Sequence, residues 1–294
     1  GFAQASAMEK VSQEYPDTKF CIIDSVVERP NVQSITFKEH EGSFLVGMMA
    51  ALASKTGKVG FVGGMDIPLI RNFAIGYQQG VKHANPDVKL LTNFSGNQDD
   101  IELAARVTQA QAKAGADIIY TMLNKGRSGT TQACRERGIK EIGNVIDWVA
   151  REPDVFVGSA WADVGIGVFE ACKDLSENKF ESGKIFKVGL QQPDAVRLIL
   201  APDTPDAVRA ALNAAVDAGS DDWSPQDVAA VVGNVHEVRD VLRRRGHEAE
   251  LRMRPSDQRF DSDDLGSGER NERLVMKHEL VALESAAEAV LENE

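Results

Sequence analysis

At four places in the chain, acidic, polar or aromatic residues directly follow a short apolar run. Asp66 comes after Lys58–Gly63 (KVGFVG), and Asn124, Lys125 and Gly126 come after Ala116–Leu123 (ADIIYTML). Asp147 and Trp148 follow Glu141–Ile146, and Trp161 and Asp163 follow Val155–Ser159. A carboxylate accepts hydrogen bonds from hydroxyl groups, and an indole ring stacks on a planar base or a sugar face. Asp147 beside Trp148 therefore suits a sugar or a nucleobase. Gly126 precedes a helical stretch whose first free N–H groups can meet an acceptor. Asp66 and Asp163 also stand where helix N-caps are expected, a purely local role. Each feature is common alone. Four in the same relation to a strand describe a polar, partly aromatic cleft for a small molecule.

Catalytic patterns do not appear. Thr56-Gly57-Lys58-Val59 lacks the first glycine and the hydroxyl residue of a phosphate-binding loop. Gly165-Ile166-Gly167 is followed by Glu170 where a dinucleotide-binding turn needs its third glycine. Gly126-Arg127-Ser128-Gly129-Thr130 is not a nucleophile elbow. His40, His83, His236, His247 and His278 are scattered. Cys21, Cys134 and Cys172 have no metal spacing and read as small buried residues. No enzymatic activity, metal or cofactor is expected. A net charge of -12 argues against nucleic acid as a partner. No apolar run is long enough to span a bilayer, and the N-terminus has no signal-peptide pattern.

These residues need a scaffold that brings strand ends together. Helical spacing over Ala5–Tyr15, Glu41–Lys55, Pro68–Asn85, Asp99–Ala114, Ser128–Arg137 and Ala162–Leu175 alternates with apolar strands. The strands are expected at Lys19–Asp24, Ser34–Phe37, Lys58–Gly63, Val88–Phe94, Ala116–Leu123, Glu141–Ile146, Val155–Ser159 and Lys184–Leu190. Such alternation predicts βαβ units and parallel sheets. In these sheets a ligand sits beyond the carboxyl ends of the strands, where the four polar stretches lie. Gly57-Lys58 reads as a crossover between two units. After residue 190 acidic residues outnumber basic ones and arginine replaces lysine as the main base. An Ala-rich helix is expected at Asp206–Ala218. Beyond it, Val228–Val232 reads as a strand, Val235–Arg245 as a helix, 254–268 as a disordered linker and Glu269–Leu291 as an amphipathic helix.

Four stretches carry a family resemblance: Tyr15–Asp24 (YPDTKFCIID), Ser34–Gly47 (SITFKEHEGSFLVG), Lys55–Gly76 (KTGKVGFVGGMDIPLIRNFAIG) and Gly115–Tyr120 (GADIIY). From Gly1 to about Ala218 the chain resembles the basic membrane protein (PnrA-like) family. The resemblance implies an α/β protein of the type I periplasmic-binding fold, with two Rossmann-like lobes of parallel sheet closing on a ligand. The family's opening strand and loop lie before Gly1, so the first lobe is expected to be incomplete, with Phe2 near the stacking position. The implied segments are 1–57 as the remainder of the N-terminal lobe, 58–190 as the C-terminal lobe, 191–219 as a return to the first lobe, and 220–294 as a divergent acidic tail.

The implied function is an extracytoplasmic solute-binding protein delivering a purine nucleoside or similar polar ligand to an ABC transporter permease. It would be periplasmic or on the outer face of the cell membrane, held by a lipid anchor absent from this chain. The ligand set would be Phe2, Asp66, Asn124, Gly126, Asp147, Trp148, Trp161 and Asp163. Where the family carries a ribose-binding lysine this chain has Ala162. The alternative reading is a ligand-sensing regulator built on the same fold.

Overall fold

The computed structural model describes residues 1–218. The chain opens with helix α1 (Ala5–Glu14), strands β1 (Phe20–Ile23) and β2 (Val32–Phe37), and helix α2 (Glu39–Ala53). Then follow β3 (Lys58–Gly63), α3 (Pro68–Ala84), β4 (Lys89–Phe94), α4 (Ile101–Lys113), β5 (Ile118–Met122), α5 (Arg127–Arg137) and β6 (Lys140–Val145). The one-turn helix α6 (Trp148–Arg151), β7 (Phe156–Ala162), α7 (Val164–Ser176), β8 (Ile185–Val188), β9 (Val196–Leu200) and α8 (Asp206–Ala218) complete it. Local chemistry sets several boundaries. Pro68 occupies the first turn of α3, where its missing N–H costs nothing. Asp100 caps α4 by accepting from Leu103 N, and Gly138 ends α5 in the left-handed region at φ 65°.

Two sheets result. The smaller has the order β1-β2-β8 and is parallel throughout. The larger has the order β4-β3-β5-β6-β7-β9, parallel except for β9, which runs antiparallel to β7. The chain passes between the sheets three times: from β2 into α2, from β7 through α7 to β8, and from β8 to β9. Two α/β lobes with three crossings make the type I periplasmic-binding architecture.

The main core lies between the larger sheet and helices α2, α3 and α8, built on Leu45, Met49, Phe61, Tyr77, Tyr120 and Leu212. Burying such a side chain contributes about 1.5–3 kcal/mol. It also explains why α2 is apolar on nearly every side: residues 41–51 are all buried.

Several boundaries differ from the sequence expectation. The crossover falls at Lys38, one helix before Gly57, because α2 joins the core of the larger sheet. Residues 58–190 do not form one sheet, since β8 pairs with β2. The return segment supplies β9 to the larger sheet instead of going to the first lobe, and α8 adds Val208 and Leu212 to the same core as α2. Cys172 is exposed on α7, whereas Cys134 is buried. The elements expected beyond Ser220, the linker at 254–268 among them, lie outside the described residues.

Candidate functional site

The parallel register of β3, β5, β6 and β7 sets their carboxyl ends along one edge of the larger sheet. The segments leaving that edge carry Asp66, Asn124, Gly126, Asp147 and Asp163, with Trp161 near the end of β7. The carboxyl ends of β1 and β2 lead to Asp24 and Glu39.

The side chains do different things there. Asp66 is exposed and forms a two-point pair with Arg71, from Nε to Oδ1 at 2.5 Å and from Nη2 to Oδ2 at 2.9 Å. It does not cap α3, whose N-cap is Ile67. The Asn124 side chain is exposed, and its backbone N–H donates to Gln98 O at 2.9 Å. Gly126 is buried against the start of α4, where a Cβ would meet the Gln98 and Asp100 carbonyls at 3.0 and 3.3 Å. It is a close-approach glycine. Asp147 caps α6 through Ala150 N at 2.8 Å, and Asp163 caps α7 through Gly165 N at 2.9 Å. Each keeps carboxylate lone pairs beyond its cap. Phe2 lies in the opening turn, Phe2–Gln4.

The two tryptophans, both expected in the ligand set, differ in their surroundings. Trp148 turns its ring into the fold: it stacks on Phe156 at 5.3 Å and donates from Nε1 to Asn144 O at 2.9 Å. The Arg127 guanidinium lies 4.8 Å from its ring centroid. The buried arginine and Phe156 thus already engage the ring of Trp148, which is half-buried. Trp161 lies inside β7, not in the loop after it, because β9 pairs with that strand as far as Ala162. Its Nε1 is buried with no hydrogen-bond partner, and Arg197 lies 4.6 Å from its ring centroid. An indole donor left unpaired beside a cationic stack is the better candidate for meeting a ligand.

Three features were not singled out in the sequence. Glu41 is fully buried; it pairs with Lys38 at 2.8 Å and accepts from Leu190 N at 2.9 Å. That contact ties the first crossing to the third. Second, Arg127 and Glu141 form a buried pair at 3.7 Å below the ends of β5 and β6. Third, burial raises the carboxyls of Asp24 and Glu39, and that of Glu39 reaches about 7 with Asp24 adding to the effect. No single residue type marks these positions, although Glu39 and Glu41 stand at the start of a largely apolar helix.

The Glu39 shift has a sign that can be measured. Its folded pKa lies above the open-chain value of 4.5. Stability is therefore complete below that pH and is lost as pH rises through about 7. Glu39→Gln should leave the urea midpoint nearly unchanged at pH 5 and raise unfolding free energy at pH 8 by on the order of 1–2 kcal/mol. Equal effects at the two pH values would show that Glu39 is not held near neutrality.

Residues 1–218 match the family described as ABC transporter substrate-binding protein PnrA-like. Basic membrane protein A2 of Borrelia garinii subsp. bavariensis is 34% identical over 200 residues, 65% of this chain and 59% of that protein. The CD4+ T-cell-stimulating antigen of Listeria monocytogenes is 36% identical over 121 residues, covering 41% of this chain and 34% of its own. This chain thus spans about 59% of the length of the basic membrane proteins it matches. Among solved structures, a solute-binding protein of an ABC transporter system from Aeropyrum pernix K1 superposes with a TM-score of 0.62 at 27% identity, over 82% of this chain and 72% of that one. A transcriptional activator of the comK gene from Bacillus halodurans gives 0.67 at 24% identity, over 76% and 77%, a likeness of fold alone. With the three-crossing fold in place and the match running from Gly1 through α8, the chain belongs to the PnrA-like family of ABC transporter substrate-binding proteins.

Proposed function

We propose that this chain is the ligand-binding part of an extracytoplasmic solute-binding protein that delivers a nucleoside-like molecule to an ABC transporter permease. The observation that carries this reading is the gathering of acidic side chains and one incompletely bonded indole along the carboxyl edge of four parallel strands. Asp66, Asp147 and Asp163 offer acceptors for sugar hydroxyls, while Glu39, with a carboxyl near neutrality, both donates and accepts. Trp161 offers Nε1 as a donor and the ring face not taken by Arg197 for stacking. Asn124 adds an exposed amide. Trp148 and Gly126 hold the surrounding backbone. Attachment to the outer face of the membrane would come from outside the described residues, among which no helix is long and apolar enough to cross it.

Calorimetric titration with guanosine, inosine and ribose tests the reading. A saturable heat is expected with the nucleosides and a much smaller one with ribose alone. Trp161→Ala should weaken nucleoside binding about 5- to 150-fold, the loss of one stacked base. Trp148→Phe should leave affinity unchanged. No binding of either nucleoside, or an unchanged affinity in Trp161→Ala, would refute the assignment.

A further inference from the structure

A cavity of about 390 Å³ lies on the face of the smaller sheet covered by α7. Its floor is Ile35 of β2 with Phe186 and Val188 of β8. These three share a face because Ile35 pairs with Phe186 and side chains alternate along each strand. Ile166 and Ala171 of α7 form one wall, and the turn at 192–195 forms the other. The size is within the usual range for a small-molecule site.

Two polar features set the chemistry. Gln33, on the same face of β2, is 2% exposed and lines the cavity. Its Oε1 has no hydrogen-bond partner. A buried acceptor left unpaired costs stability unless something donates to it. Glu170, Asp174 and Asp194 also line the space. Asp194 is exposed, Asp174 is half-buried, and Glu170 has only an exposed pairing with Lys173 at 3.3 Å. The nearby Arg197 is committed to the Pro193 and Asp194 carbonyls at 3.1 and 3.3 Å and to the Trp161 ring. Among the lining residues, three carboxylates face no lining cation.

We infer that this cavity is a second ligand site, which takes a small organic cation with an aliphatic body and a further hydrogen-bond donor, the chemistry of an amino alcohol. The ammonium group meets the carboxylates, the chain lies on Ile35, Phe186 and Val188, and the donor reaches Gln33 Oε1. Carboxylates exclude an anion of the same shape. The cavity adjoins the proposed nucleoside edge, since Ala195 O accepts from Asp163 N at 2.8 Å, but Gln33, Ile35, Phe186 and Val188 belong to the cavity alone, so variants at Gln33 separate the two sites.

The test is backbone-amide NMR on the full chain, titrated with 6-amino-1-hexanol, hexylamine, 1-hexanol and 6-hydroxyhexanoate. Saturable shifts are expected from 6-amino-1-hexanol at residues 33–35, 166–174 and 186–195. Hexylamine and hexanol should bind at least about fivefold more weakly, the loss of one hydrogen bond or one ion pair. Hydroxyhexanoate should not bind. Gln33→Leu removes the unpaired acceptor, so it should raise the melting temperature and erase the preference for aminohexanol over hexylamine. A merely structural Gln33 would do the reverse. Gln33→Met is the second variant if the leucine protein does not fold. Asp174→Asn with Asp194→Asn should weaken both amines. Equal binding of hydroxyhexanoate, shifts confined to the loops at 64–67 and 146–148, or a preference that survives both Gln33 variants would overturn the proposal.

Discussion

Arg127→Ala should lower the unfolding free energy by about 3–5 kcal/mol, the cost of removing one partner of a buried ion pair. The Glu141 side chain is fully buried and Arg127 is 5% exposed, with 3.7 Å between them. The arginine donates to Thr121 Oγ1 at 2.7 Å and to Asn144 Oδ1. Glu141 accepts from Thr121 at 2.8 Å and from Thr131 at 2.7 Å. Burial pushes both charges toward neutrality and lifts the Glu141 carboxyl to about 7, with Arg127 opposing the lift. Without the arginine only two hydroxyl donors remain, and the carboxyl rises further. A raised carboxyl is harmless below its open-chain value and costs stability as pH rises through its folded value. The deficit of Arg127→Ala should therefore be larger at pH 8 than at pH 5. Arg127→Ala with Glu141→Gln should recover part of it, because the stranded charge is gone. Urea unfolding of the three proteins at both pH values is the measurement. A loss under about 1 kcal/mol, or one independent of pH, would mean that water reaches the pair.

The second large effect belongs to the α2–α3 contact. A Cβ on Gly80 would press into the Phe44 carbonyl group, 2.8 Å from its carbon, and lie 2.9 Å from Met48 N. A Cβ on Gly47 would press into the Tyr77 carbonyl oxygen and lie 2.8 Å from Val81 N. The obstacles are backbone atoms, which cannot rotate aside. Gly80→Ala and Gly47→Ala should each cost about 1–3 kcal/mol by forcing the helices apart, outweighing alanine's gain of ~1 kcal/mol in helix propensity. Once the helices have separated the second methyl costs less, so the double variant should fall short of the sum. Gly42 on α2 is the control. A Cβ there meets only Ala160 Cβ at 3.9 Å, and Gly42→Ala should be neutral or stabilising. Thermal melts of all four proteins decide it. If Gly80→Ala melts with the parent, the helices pack more loosely than these distances require.

The strand–helix rhythm was legible because each element carries its own period. KVGFVG, KLLTNF and IIYTM are runs that a parallel sheet buries on both faces, and Pro68, Asp100 and Gly138 mark helix ends by local chemistry. The family stretches did the rest: they gave the two-lobed fold and the substrate-binding class. The placing of polar residues at strand ends also followed from sequence, since parallel βα units put every carboxyl end on one edge.

What an edge residue does once it arrives was decided by tertiary contact. Asp147 and Trp148 are neighbours in sequence, yet one caps a helix turn while the other is drawn inward by Phe156 and the buried Arg127. Trp161 gained its place inside β7 from β9, a pairing partner some 36 residues downstream, as the Trp161↔Arg197 register shows. The runs IFKV and VRLIL look alike, but one joins β2 and the other joins β7. Apolar periodicity specifies that a segment is a strand and which face it buries. It carries no term for which edge the strand will meet, because that depends on hydrogen bonds and burial shared with residues far away in the chain. The pairing of Arg127 with Glu141 and the unpaired acceptor of Gln33 are of the same kind: they exist only once the sheets have formed.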